Sequence, residues 1–425
     1  MNDLLPIETV TGPIAATVDL PGSKSLTNRA LVLGALGDGE THLEGALESD
    51  DTRVLVDSLE RLGFAVEWDR SKRSIRMEGR GGSIPSAAAD LYGGNSGTTV
   101  RFLTSLVALG NGRFRVDGDA RMRERPIRDL IEALGRLGVS ARSELDNGCP
   151  PVIVDARGLP GGAADVAAGT SSQYASSILM VAPYAARDVE LRLTGDLVGE
   201  PFLEMTLGMM RRFGAIATRE ERRVRVPSGQ RYGARRLAIE PDATAASYFF
   251  AAAALLGGDV TVRRLGRDSL QGDLRFLDVL AEMGAEVTIE EDRARVRGAR
   301  LEGIDRDFRA ISDTFLTAAV LAPFAGGPTR IRGVGHTRHQ ESDRVAAVAR
   351  ELRRLGADVS EMPDGLEIQP STLHGGEVET YDDHRIAMSF SLIGLRVPGI
   401  SIRNPSCVEK TFPDYFERLR ALRGA

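Results

Sequence analysis

The sequence predicts an α/β protein of two similar domains, each made of three repeats that set short strands and a surface helix around a buried helix. Three observations carry this expectation. At 425 residues the chain exceeds what one hydrophobic core usually organises. A helix-period pattern ending in apolar-Gly recurs every 68–76 residues. Between these patterns lie six segments that are apolar nearly all round, as a helix inside a core must be.

The recurring pattern is Leu55, Leu59 and Leu62 before Gly63, then Leu130, Leu134 and Leu137 before Gly138. Met210 and Phe213 precede Gly214, and Phe276, Leu280 and Met283 precede Gly284. Val348, Leu352 and Leu355 precede Gly356; Tyr415, Leu419 and Leu422 slide by one residue to close at Gly424. Offsets of four and seven describe one face of an amphipathic helix, and the glycine sits where a helix C-cap is expected. Stretches such as Phe64-Ala65-Val66-Glu67 and Ala285 to Ile289 follow and read as strands. The six buried helices are expected at Arg29 to Leu36, Thr99 to Leu109, Gln173 to Ala182, Ala245 to Leu256, Phe315 to Phe324 and Ile386 to Leu395. The division between domains is expected near Arg236 to Pro241.

Composition excludes several classes. An apolar share of 42% rules out disorder. The longest apolar stretches, Ala245 to Leu256 and Phe315 to Gly326, fall short of the roughly 18–20 residues of a membrane span. The start, Met1-Asn2-Asp3-Leu4-Leu5-Pro6, has neither the basic beginning nor the apolar core of a signal peptide. Two cysteines, Cys149 and Cys407, make a disulfide framework implausible and fit a reducing cytoplasm. With a net charge of -6, no nucleic-acid partner and no membrane are expected. His336 and His339 lack a completing ligand set, and no P-loop or dinucleotide fingerprint appears, so no metal and no organic cofactor are expected. Only Lys24, Lys72 and Lys410 are lysines among 54 basic residues. In an arginine-biased chain, lysine should persist where a compact ammonium that exchanges protons is needed.

The residues that open the buried helices fall into two groups. The first three openings are Gly22-Ser23-Lys24-Ser25-Leu26-Thr27-Asn28-Arg29, Gly93-Gly94-Asn95-Ser96-Gly97-Thr98-Thr99 and Gly169-Thr170-Ser171-Ser172-Gln173. Small hydroxyl and amide residues there suit either plain N-capping or an anion seated on unpaired backbone N–H groups. Three glycine-flanked examples, one carrying Lys24 and Arg29, favour the anion. The last three openings are acidic. Asp242 reads as a cap, and Asp313 as either a cap or a general base facing a substrate hydroxyl. Asp383-His384-Arg385 reads as a site cluster. Arg125, Arg344, Arg385 and Lys410 lie in what read as loops at the same end of the repeats, with Pro126 at a helix's first turn. Arg121 and Arg123 read equally well as a solvated face. Together the cations suit small, multiply charged anions held between two domains.

At these residues the chain resembles the 5-enolpyruvylshikimate-3-phosphate synthases, the shikimate-pathway enolpyruvyl transferases. The resemblance runs through Pro21-Gly22-Ser23-Lys24-Ser25 with Asn28-Arg29, Gly94-Asn95-Ser96-Gly97-Thr98, Glu124-Arg125-Pro126-Ile127 and Ser171-Ser172-Gln173. It continues in Glu341-Ser342-Asp343-Arg344, Asp382-Asp383-His384-Arg385 and Lys410-Thr411-Phe412-Pro413-Asp414-Tyr415. It implies two lobes of three βαβαββ units, an inverse α/β fold, closing over the ligands. The lobes would be residues 21–240 (shikimate 3-phosphate side) and 1–20 plus 241–425 (phosphoenolpyruvate and acid–base side). The implied reaction moves the enolpyruvyl group of phosphoenolpyruvate to the 5-hydroxyl of shikimate 3-phosphate, through a tetrahedral intermediate, with release of phosphate. Asp313 resembles the base at the hydroxyl; Glu341 and Lys24 resemble the groups that move the other proton, with the donor left open between them. Lys24, Ser25, Arg29, Ser171, Ser172, Gln173 and Asp313 resemble the shikimate 3-phosphate contacts. Lys24, Asn95, Gly97, Arg125, Gln173, Arg344, His384, Arg385 and Lys410 resemble the phosphoenolpyruvate cradle. A monomer is expected, and Gly97 leaves room for glyphosate to compete with phosphoenolpyruvate.

Three departures from the family's pattern stand out. Gln340 occupies a position where relatives often carry lysine, and His336 one where they often carry asparagine. Gly199-Glu200-Pro201-Phe202 lacks their serine, basic residue and tyrosine. Two other readings compete. The sister transferase acting on UDP-N-acetylglucosamine typically has a loop cysteine as proton donor and asparagine after the N-terminal lysine, whereas Ser25 follows Lys24 here. A non-catalytic anion-binding repeat scaffold explains the helix openings but not Asp313, Glu341 and two retained lysines together.

Overall fold

In the computed structural model, which describes residues 4–169 and 171–422, the polar openings of the buried helices are their caps and first turns. Ser23, Ser96, Ser171, Asp242 and Asp383 each accept a backbone N–H of the first turn through the side chain. This bond satisfies a donor that every helix start leaves without an intrahelical partner. The helices therefore begin ahead of their apolar runs, at Lys24–Leu36, Gly97–Leu106, Ser172–Val181, Ala243–Leu256 and His384–Gly394. Phe315–Leu321 differs. A 3-10 segment, Arg309–Thr314, kinked at Ile311 (φ -130°, ψ 41°), leads into it and no side chain caps it. Asp313 lies inside this 3-10 segment, two residues before the helix.

The amphipathic helices are Asp50–Arg61, Arg128–Arg136, Glu200–Phe213, Phe276–Glu282, Arg344–Arg354 and Tyr415–Ala421. Gly63, Gly138, Gly214, Gly284 and Gly356 follow the first five in the left-handed region, φ 90° to 101°, where a Cβ would be strained. Gly424 of the sixth copy, Thr170 of the third helix opening and the first three residues lie outside the described residues. One placement needs correction. Pro126 is not in a first helical turn, because Ile127 is the N-cap and the helix starts at Arg128.

The chain divides into two units, one of Gly22–Ile239 and one joining the chain up to Pro21 with Glu240 onward. The Gly22–Ile239 unit has three four-stranded sheets. In the second repeat the order is Ala88–Tyr92, Asn111–Asp117, Val152–Arg157, Ser140–Ser143. The first pair is parallel, crossed over by the buried helix, and the others are antiparallel. The third repeat, from Gly162–Ala167 to Arg223–Val226, repeats that pattern. The first repeat draws its parallel edge strand, Arg236–Ala238, from the far end of the unit, where it lies beside Asp38–Glu44.

In the other unit the N-terminal segment completes two sheets, with only Ala15–Val18 serving as a parallel edge strand. Ala15–Val18 pairs parallel with Asp259–Arg263, and Leu4–Pro6 pairs antiparallel with Ile400–Arg403. The sixth repeat is consequently incomplete as a βαβαββ unit. Its own strands, Gly376–Val378 and Ile400–Arg403, gain Leu4–Pro6 to make a three-stranded sheet. The core of this unit packs the buried helices against the inner sheet faces, with Phe249, Phe315, Phe390 and Phe412 all fully buried.

Candidate functional site

In the Gly22–Ile239 unit the openings of the three buried helices are tied together by side-chain bonds. Lys24, the first helical residue, places its ammonium 3.3 Å from a carboxylate oxygen of Asp51, itself in the first turn of Asp50–Arg61. The Asp51 carbonyl accepts from the Thr99 hydroxyl (3.4 Å), which links this corner to the second opening. There the Arg125 Nη1 donates to the carbonyl and the side-chain oxygen of Asn95, both at 3.1 Å. Arg101 Nη1 donates to Gln173 Oε1 (2.8 Å) and Gln173 Nε2 donates to Thr98 Oγ1 (3.2 Å), joining the third opening. The Arg101 guanidinium also lies over the Tyr174 ring, 5.4 Å from its centre. Lys24, Asn95, Gly97, Arg125, Ser171, Ser172 and Gln173 thus share one cation-rich patch.

Gly97 is needed there. A Cβ at this position would come within 2.3 Å of Arg101 Nη1 and 2.7 Å of Arg125 Nη2. Arg29 lies deeper, 1% exposed. Its nitrogens donate to Thr206 Oγ1 (2.8 Å), the Ser25 carbonyl (3.0 Å), the Phe202 carbonyl (3.1 Å) and Ser176 Oγ (3.5 Å). All four acceptors are neutral. Burial draws this guanidinium down from 12.5 to about 9, which still leaves it charged at neutral pH. Gly199 has φ 62°, and a Cβ there would lie 3.0 Å from Ser172 Oγ. Arg121 pairs with exposed Glu124, whereas Arg123 pairs with buried Asp117.

The other unit holds an ion-pair cluster. Arg344 is 1% exposed and lies at the start of its helix rather than in a loop. It donates to both oxygens of buried Asp383 (2.8 and 3.2 Å), to Asp313 Oδ1 (3.0 Å) and to the Gln340 side-chain oxygen. Its Nη2 also lies 3.0 Å from Glu341 Oε2. Arg385, in the first turn of His384–Gly394, donates to Asp313 Oδ2 (2.8 Å). Lys410 ends a 3-10 helix, Pro405–Lys410, and donates to Glu341 Oε1 (3.1 Å). Asp313 is therefore clasped by two guanidiniums and Glu341 by one guanidinium and one ammonium. Neighbouring carboxylates raise the pKa of both Arg344 and Arg385 against the opposing effect of burial. His384 is buried with Nδ1 3.6 Å from Asp383 Oδ1.

The two departures in this unit have clear roles. Gln340 supplies no cation and instead accepts from Arg344. His336 shares a 2.9 Å bond between Nε2 and Ser312 Oγ, beside Asp313, and burial pulls it down to about 4, so it is neutral at pH 7.

Three charged residues at these clusters escaped the sequence reading. Asp51 looked like an ordinary acid in a helix's first turn. Arg101 gave a signal, one charge within an apolar helix, that was available and unused. Asp273 sat in an unremarked turn. Its Oδ2 accepts from the Thr244 hydroxyl, while Oδ1 is buried without a hydrogen-bond partner among the described residues. Burial, with Asp313 adding repulsion, pushes it up to about 7. Among the described residues no group of three or more His, Cys, Asp or Glu is placed to hold a metal ion. Nor is any helix among them long and apolar enough to cross a membrane.

Comparison with known proteins gives concordant results. Residues 9–419 match the family model described as EPSP synthase (3-phosphoshikimate 1-carboxyvinyltransferase). A 3-phosphoshikimate 1-carboxyvinyltransferase of Nostoc punctiforme is 46% identical over 98% of both chains. One from Shewanella baltica is 41% identical over 97% of both. Among solved structures, EPSP synthase from Acinetobacter baumannii superposes with a TM-score of 0.83 at 26% identity, covering 99% of this chain and 98% of that one. The enolpyruvyl transferase NikO from Streptomyces tendae, at 20% identity and a TM-score of 0.80, shares the fold. The helix openings, the clasped carboxylates and these relatives agree: the chain belongs to the EPSP synthase family.

Proposed function

We propose that the two clusters carry out the family's reaction, transfer of the enolpyruvyl group of phosphoenolpyruvate to the 5-hydroxyl of shikimate 3-phosphate. The chain is a transferase of the shikimate pathway, which leads to the aromatic amino acids. The UDP-N-acetylglucosamine and scaffold readings are not favoured, since relatives 41–46% identical bear the shikimate 3-phosphate name. The Gly22–Ile239 unit is assigned mainly to shikimate 3-phosphate, through Ser25, Arg29, Ser171, Ser172 and Gln173. The other unit is assigned to phosphoenolpyruvate and proton transfer. The low cysteine content supports a reducing, cytoplasmic setting, and the chain is assigned as a monomer.

The single observation that carries the chemistry is the Asp313 carboxylate held between Arg344 and Arg385, with the Glu341–Lys410 pair on the same arginine. Asp313 takes the proton of the 5-hydroxyl as its oxygen bonds to C2 of phosphoenolpyruvate. Glu341 or Lys24 delivers a proton to the C3 methylene, making it a methyl group. The tetrahedral intermediate then loses phosphate from C2 and returns one methyl proton to the group that supplied it, which restores the double bond. Lys24, Asn95, Gly97, Arg125 and Gln173 in the first cluster, and Arg344, His384, Arg385 and Lys410 in the second, are assigned to phosphoenolpyruvate. Fixed cations facing the developing charge supply the main rate enhancement, since they need no reorganisation during the reaction.

Asp313→Ala tests this. General-base loss should cut kcat by about 10²–10⁴-fold, while shikimate 3-phosphate still binds by calorimetry. Retained turnover would exclude Asp313 as the base. Loss of binding in parallel with turnover would assign it to substrate holding alone.

A further inference from the structure

The segment that leads into Asp383-His384-Arg385 is strained. Tyr381 and Asp382, neither of them glycine, both adopt left-handed backbone (φ 54° and 56°). Such residues persist only where surrounding bonds hold them. The hold here comes from one helix, Arg344–Arg354, at two points seven residues apart and so on one face. At its start, Arg344 grips Asp383 through Nε and Nη2. At its end stands Glu351, a carboxylate with no exposed surface.

Both Glu351 oxygens are engaged with the strained turn. Oε1 accepts from the Tyr381 hydroxyl (2.7 Å) and Oε2 from the Glu379 backbone N–H (3.1 Å). Arg354 supplies the counter-charge to both oxygens, at 3.3 and 3.1 Å. Arg350 lies over the Tyr381 ring, 5.7 Å from its centre. Asn404 Nδ2 bonds the Asp382 carboxylate (3.0 Å), and the Asp383 N–H closes the turn onto the Thr380 carbonyl (2.9 Å). A buried carboxylate is expensive unless paired and hydrogen-bonded. This one is both, and its turn-side partners lie three to six residues ahead of His384 and Arg385.

We propose that Glu351 is a positioning residue for the transferase reaction: with Tyr381 it clamps the left-handed turn and so fixes His384 and Arg385 for phosphoenolpyruvate. The inference rests on the assignment of those two residues to phosphoenolpyruvate. Loosening the turn lets Arg385 swing relative to Asp313 and leaves Ser25, Arg29, Ser171, Ser172 and Gln173, the shikimate 3-phosphate contacts of the Gly22–Ile239 unit, untouched. The defect should therefore fall on one substrate, which a general loss of stability would not produce.

The test compares wild type, Glu351→Gln, Tyr381→Phe and the double variant in steady-state turnover, with melting temperature as the control for folding. Wild-type turnover with both substrates comes first; its absence overturns the functional assignment and with it the premise of the clamp. Given wild-type turnover, KM for phosphoenolpyruvate should rise about fivefold or more in each single variant, with KM for shikimate 3-phosphate within about twofold. The double variant should be no worse than the poorer single one, as for two halves of one contact. Tyr381→Phe removes only a hydroxyl and decides alone if Glu351→Gln fails to fold. Unchanged KM for phosphoenolpyruvate, an equal rise for both substrates, or simple additivity would overturn the clamp.

Discussion

At Gly97 a missing methyl group decides what two arginines can do. An added Cβ would meet Arg101 Nη1 and Arg125 Nη2 closer than atoms pack. The guanidinium ends are the parts that yield, so the fold should survive while the cations move. Gly97→Ala should leave the melting temperature nearly unchanged and raise KM for phosphoenolpyruvate about tenfold, the lower end of overpacking strain. If glyphosate competes with phosphoenolpyruvate at this place, the same variant should resist it. Unaltered KM and unaltered inhibition would show that Gly97 borders neither molecule. The residues found at the clusters beyond those expected follow a rule of chemistry. Asp51 and Asp273 are acids whose roles come from the neighbours that folding supplies, and no local spacing signals them.

At the scale of elements, Asp273 shows how a short segment can shape pH dependence. Gly272–Arg275 carries it against the first turn of Ala243–Leu256 and the Arg309–Thr314 segment. Asp242, Asp313 and Arg385 are the charges that act on it. Its carboxyl stays protonated in the folded chain up to about pH 7, whereas an exposed aspartate ordinarily titrates at 3.8. Between those values the unfolded chain has released a proton that the folded chain keeps, so stability falls as pH rises from about 4 to about 7 and then levels. Asp273→Asn removes this contribution. The melting temperature of the variant relative to wild type should climb across that window, and a difference constant with pH would refute the assignment.

Much at this scale was legible in the sequence. The repeat, the buried helices and the glycine caps follow from periodicity and from the left-handed backbone that Gly63 or Gly284 must adopt. Helix starts were misjudged because the polar openings were set apart from the helices they cap. Sheet completion was not legible, because nothing local in Arg236–Ala238 says that it lies beside Asp38–Glu44. The uncapped 3-10 approach to Phe315 was equally hidden, although Asp313 itself was singled out by its place before a buried helix.

For the molecule as a whole, six variations on one unit give two kinds of helix opening. Serine-rich openings carry Lys24, Gly97 and Gln173, and acidic ones carry Asp313 and Asp383. The first group offers backbone N–H donors and cations to anions; the second brings carboxylates under the control of Arg344 and Arg385. On the proposed assignment turnover requires both groups, since neither holds all the residues that the reaction needs.

The most direct measurement of that claim is phosphate release from phosphoenolpyruvate by the purified protein in chelator-treated buffer, with and without shikimate 3-phosphate. The expected result is release that depends on shikimate 3-phosphate and continues with the chelator present. Release without it, release driven equally by UDP-N-acetylglucosamine, or none with both substrates supplied would contradict the claim.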